Sequence, residues 1–219
     1  MEFPNASKGL KKIFLAELLH LISAVMVVCA LILLASNGIN MKTTGDVLRD
    51  KLEATGMTVP MIIYSIGTII LLLIGLCLNL AGIYQASRDE GSFKRAMWAT
   101  LFTIVVSIVG SFIQRSNPAA ADWFDMIVTI CTMMTALLVL DGITRIADSI
   151  GSKEVSDLAK WCSKFILFPF VFSLVGELMI AVFALNESTI ALVGAAVYVL
   201  DAVAYIMYLR VLSKARTMQ

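Results

Sequence analysis

Charge is scarce in this chain: Asp, Glu, Lys and Arg make up 15% of 219 residues, against 59% hydrophobic residues. A soluble domain carries more charge and breaks its apolar runs with polar faces, so a freely soluble globular fold is excluded. Histidine occurs once, at His20, and any metal site would have to rest on carboxylates or thiols. The four cysteines, Cys29, Cys77, Cys131 and Cys162, form no close pair, which argues against a disulfide framework and against zinc. There is no Gly-x-Ser-x-Gly elbow, no His-Glu-x-x-His and no Walker phosphate loop. The chain is therefore not read as an enzyme, and no cofactor is expected. The net charge is +1 with no block of like charge, so nucleic-acid binding is not expected either.

What is present is length of apolar sequence. A hydrocarbon core of about 30 Å takes about 20 helical residues, and six stretches qualify: 13–35, 60–84, 96–113, 123–143, 165–185 and 189–209. The expectation is an all-α polytopic membrane protein, a six-transmembrane-helix bundle forming one integral membrane domain over 1–219 in the lipid bilayer. Glu17 and His20 interrupt the first stretch, which is too long for a signal core and is read as a retained anchor. Thirteen Lys and Arg fall on one side of these spans; only Lys42, Arg49, Lys51 and Arg115 fall on the other. Basic flanks are held on the cytoplasmic side, so both ends of the chain are expected there, in the plasma membrane. In the outer segment 36–58, Asp46 suits the N-cap of a short helix over 46–54 and Gly56 its exit, while Thr58 suits the cap of the second span, with Pro60 in its first turn.

The sequence also matches itself. Ser107-Ile-Val-Gly-Ser-Phe pairs with Ser173-Leu-Val-Gly-Glu-Leu, Val139-Leu-Asp-Gly with Val199-Leu-Asp-Ala, and Leu80-Ala-Gly-Ile with Leu140-Asp-Gly-Ile. Lys11, Lys94 and Lys160 each open an odd-numbered span. These matches point to three helical hairpins in parallel repeat. Mitochondrial carriers share that plan, but their Pro-x-Asp-x-x-Lys signature is missing from every odd span, so the chain is not assigned to them.

Ionisable groups inside the hydrocarbon are costly and mark function or helix contacts. Glu177 and Asp201 fall near the midplane by residue count, His20 lies about 12 Å beyond Lys12, and Glu17 sits one turn nearer the basic side. Two readings stand for His20, Glu177, Asp201 and Glu17. They converge as a proton-linked or cation-binding site, or they are hydrogen-bonded links between helices. Asp141, one turn before Arg145, reads as half of an interfacial ion pair, and Asn79 as an interhelical hydrogen-bonding group. Trp98, Trp123 and Trp161 read as interfacial anchors.

The functional expectation is transport of a small solute or ion, or service as a transporter's membrane subunit, with residues 88–95 available to dock a cytoplasmic ATPase. In size and span count the chain is similar to the substrate-binding subunits of vitamin-uptake transporters and to small exporting permeases, an architectural likeness only. The alternative is a non-transporting assembly, immunity or regulatory protein acting on a protein partner through helix contacts in the membrane.

Overall fold

The computed structural model describes residues 3–39, 45–116, 118–183 and 187–218, without the side chains at 45–49, 114–116, 118–122, 173, 174, 176–183 and 187–193. Among the described residues there are seven helices and no strand: α1 (Pro4–Ser36), α2 (Gly45–Ala54), α3 (Thr58–Ala86), α4 (Gly91–Ser116), α5 (Pro118–Ser149), α6 (Lys153–Phe183) and α7 (Glu187–Ala215). Among the described residues, five segments are long and apolar enough to cross a bilayer: Pro4–Ser36, Thr58–Ala86, Gly91–Ile113, Trp123–Ser149 and Gly194–Ala215. The protein is thus a multi-pass membrane protein. The expected span over 165–185 falls on α6, where much of the apolar stretch lies outside the described side chains.

Helix boundaries follow local chemistry. Pro4 and Pro118 open their helices and Pro60 stands in the first turn of α3, positions where a missing N–H costs no helical bond. Three helices end on a glycine in the left-handed region: Gly38 (φ 70°), Gly56 (φ 66°) and Gly151 (φ 73°). In each, the following N–H returns five residues, from Ile39 to Leu34, Met57 to Leu52 and Ser152 to Ala147. This is the Schellman stop, for which glycine avoids the Cβ clash. Thr58 departs from expectation: it begins α3, but its hydroxyl is buried without a hydrogen-bond partner and makes no cap. The backbone N–H of Met61 is instead taken by the Met57 carbonyl, which leaves the hydroxyl no role there.

The chain forms two compact units, residues 1–14 with 80–219, and residues 15–79. In the first unit the core gathers at one end, where α1, α4 and α6 begin and α3, α5 and α7 finish. Leu10, Ile13, Ile83, Phe93, Leu140, Ile143, Cys162, Val211 and Leu212 are fully buried there. It is also the end rich in Lys and Arg. Small residues set the spacing. A Cβ on Gly9 would lie 2.4 Å from the Gly82 carbonyl oxygen, and one on Gly142 would lie 2.6 Å from the Phe93 ring. Burial pushes the Cys162 thiol up to about 11, which makes it an inert packing group.

Polar contacts tie the same end together. Asp89 accepts hydrogen bonds from the backbone N–H groups of Asn5 and Ala6, each at 2.8 Å, and from Asn5 Nδ2. It thereby satisfies donors that the first turn of α1 cannot pair internally. Asp141 accepts from Ser92 Oγ at 2.6 Å and from Arg145 Nε at 3.0 Å, with Arg95 3.5 Å away. The i,i+4 pair read from sequence is therefore part of a network joining α4 to α5. Lys214 donates to Glu154, linking α7 to α6. Trp98, Trp123 and Trp161 are all exposed, as membrane anchors require.

The self-match does not extend to packing in one respect. Val139 is buried, whereas Val199 is 62% exposed, so the two Val-Leu-Asp runs do not occupy equivalent faces. The burial pattern of α5, Ile143, Ile146 and Ala147, recurs on α7 at Tyr208, Val211 and Leu212, five residues further along than the sequence match implies.

Two outcomes follow for this end. Gly9→Ala and Gly82→Ala should each lower stability by about 1 to 3 kcal/mol through overpacking, whereas Gly91→Ala, which meets open space, should be neutral; thermal unfolding in a fixed detergent checks this. The hydrogen bond and charge of Lys214, helped by the charge of Arg210, hold the Glu154 carboxyl below the usual glutamate range. Because the folded value is the lower one, the contact's contribution is complete above the unfolded glutamate value and is lost as pH falls through the folded value. Lys214→Met should move the Glu154 titration, followed by carboxyl carbon NMR, back up toward the ordinary range.

Candidate functional site

In the second unit, α1 and α3 pack through a seam of small and polar residues inside otherwise apolar helices. Ala16 and Ser23 on α1 are buried, and the Ser23 hydroxyl is spent on the Leu19 carbonyl one turn back. Gly67 and Gly75 on α3 face this seam. A Cβ at Gly75 would fall 2.6 Å from His20 Nε2, and one at Gly67 would fall 3.2 Å from the end of Met26. Gly75 thus lets the imidazole lie directly against the α3 backbone, where any larger residue would displace it.

Glu17 and His20 lie three residues apart on α1, with His20 Nδ1 3.7 Å from Glu17 Oε2. Asn79 Nδ2 donates to Glu17 Oε1 at 3.1 Å, which fixes the other end of the carboxylate from α3. The Glu17 and His20 side chains are 12% and 29% exposed. Counting from Lys12, Glu17 is about 7.5 Å and His20 about 12 Å along the helix axis, within the apolar stretch. A carboxylate, an imidazole and an amide are therefore held together where lipid offers no hydrogen bonds. The amide is not fully used: Asn79 Oδ1 is buried with no partner.

The structure places Glu17 beside His20 and adds Asn79 as a group that orients the Glu17 carboxyl. Asp201 belongs to the other unit, exposed on α7. Glu177 lies on α6 with its side chain outside the described residues. Sequence reasoning placed Asn79 in the membrane as a hydrogen-bonding residue but could not name its partner. Gly75 went unmarked, and its only signal is that it stands one helical turn before Asn79. Among the described residues, no group of three His, Cys, Asp or Glu side chains is arranged to hold a metal ion.

No family model matches the chain, and neither the curated proteins nor the solved structures contain a match to it.

The seam makes a specific demand on His20. Gly75→Ala should force the imidazole to rotate away from α3, at a cost of about 1 kcal/mol or somewhat more. In protein labelled with nitrogen-15 at histidine, the His20 ring resonances should shift in this variant while the fold persists; unchanged resonances would mean that the ring does not rest on Gly75.

Proposed function

We propose that this protein moves a small solute or ion across the membrane, or forms the membrane subunit of a transporter, with both chain ends in the cytoplasm at the plasma membrane. The observation that carries this reading is the Glu17, His20 and Asn79 cluster held between two apolar helices. A structural link between helices needs one donor and one acceptor. This cluster has three polar side chains, two of them ionisable, and one oxygen left over. Ionisable groups at such depth mark ion and substrate paths.

The reading includes six spans, with α6 as the fifth, arranged as three hairpins entering from the basic end. The runs that match between spans three and five and between spans four and six, and the lysine that opens each odd-numbered span, are what support that repeat. Glu177 and Asp201 stay in this scheme as ionisable groups within the apolar stretches of α6 and α7. The connector at residues 88–95 would face a cytoplasmic ATPase, although Asp89 is already engaged in holding the start of α1.

One observation favours the non-transporting alternative. Asp201 is exposed on α7 beside Tyr198, itself 78% exposed, and a carboxylate facing lipid calls for a protein partner.

Cysteine accessibility separates the two. Single cysteines replacing His20, Glu177 and Asp201 in a cysteine-free background, probed in membranes with a small water-soluble thiol reagent, should label from at least one side if a water-filled path exists. No labelling at any of the three, in protein shown to be inserted and folded, would sink the transport reading and turn the search to partner proteins.

A further inference from the structure

We propose that the outward face of α7 docks α7 of a second copy of this chain about a two-fold axis normal to the membrane, each Tyr198 hydroxyl donating to the Asp201 carboxyl of the other copy. The pairing goes beyond the transport reading, since a paired chain suits a carrier and a non-transporting protein alike. Gly194, Tyr198, Asp201 and Tyr205 follow one another at spacings of four, three and four residues, which sets them in one row along the helix. That is the heptad spacing at which two helices stay in contact over several turns. Tyr198 and Asp201 are both exposed, and neither has a hydrogen bond or ion pair among the described residues. A Cβ on Gly194 would meet nothing within 4 Å, so the outer part of the row is open as well.

Lipid is a poor occupant for this face. Asp201 stands 12 residues past Thr189 and 9 before Arg210, near the middle of the apolar stretch, where acyl chains offer no donor. Tyr198 stands 9 residues past Thr189, too deep for the tyrosine belt at the membrane surface. The face therefore holds an acceptor and a donor that both want a partner, one helical turn apart. Such a face is complementary to itself, which is the requirement of a two-fold interface. Copies of one chain insert in the same orientation, so two α7 helices meet in parallel with like residues at like depth. Tyr198 of one copy then lies about 4.5 Å along the axis from Asp201 of the other, a step that the tyrosine side chain spans. Two equivalent hydrogen bonds result, with Gly194 and the small, exposed Ala202 letting the backbones approach. A different helix bearing Lys or Arg would balance Asp201 but leave Tyr198 without a use.

The test uses the full chain in liposomes over a series of protein-to-lipid ratios, with the dimer fraction counted by single-molecule photobleaching. The unmodified chain should dimerise reversibly and stop at two copies. Tyr198→Phe and Asp201→Leu should each weaken the dimer about tenfold, through the loss of two equivalent hydrogen bonds. Asp201→Leu removes a charge from an apolar stretch and so eases insertion, which keeps misfolding from imitating the effect. In a cysteine-free background, oxidation should cross-link Gly194→Cys between copies and spare Val203→Cys, an exposed position about 140° round the helix from Tyr198. A chain that stays monomeric at every ratio overturns the proposal and turns Asp201 toward a different helix bearing Lys or Arg. Equal cross-linking at 194 and 203, or an undiminished dimer in Asp201→Leu, overturns it too. Each of these failures leaves the aqueous labelling at position 20, and with it the transport reading, as it stands.

Discussion

Lipid removes the usual reason for helices to stay together. Apolar side chains gain nothing by leaving acyl chains for each other, so cohesion in the membrane has to come from close packing and from polar contacts. The first unit meets that constraint at its basic end, where Gly9 meets Gly82 and Phe93 lies on Gly142. Further into its helices the apolar side chains are exposed in large numbers, among them Phe102, Phe112 and Val175, as a lipid-facing surface should be. The fully buried core and the Asp89, Asp141 and Glu154 contacts share the same end. That end is near water, where burial of apolar surface again contributes, so packing and the hydrophobic effect act together there.

The same physics explains what the sequence disclosed. The existence of long apolar helices was legible because a run of about 20 apolar residues has few other uses. Gly56 was legible as a stop, since glycine is the residue a left-handed C-terminus favours, and Gly38 and Gly151 serve the same way. The Asp141 and Arg145 pair was legible because both ends lie on one helix. Helix faces were not. When a helix is apolar all round, core and lipid sides have one composition and periodicity carries no signal. This is why the Val139 and Val199 runs could match in letters while one is buried and the other exposed. Contacts distant in sequence, such as Asp89 with Asn5, have no local trace at all.

For the candidate site the boundary falls between residue and partner. Glu17 and His20 were conspicuous because ionisable groups are rare in apolar stretches, and their helical spacing put them on one face. That this face turns toward α3 depends on Gly67 and Gly75, whose absent side chains let the helices approach. Glycine in a membrane helix has many uses, so its position alone does not announce a contact.

Gly75 and Asn79 also explain why the cluster is more than a tolerated polar inclusion. A carboxylate that served only to join α1 and α3 would be satisfied by the Asn79 amide, and the remaining face of the seam could be filled with aliphatic side chains at little cost. Instead the seam spends a glycine to admit an imidazole beside that carboxylate and leaves an amide oxygen buried without a donor. A neutral, closed pair would be cheaper to insert and more cohesive. A carboxyl group, an imidazole and a spare amide oxygen within about 12 Å of the basic side are more than a link between two helices requires.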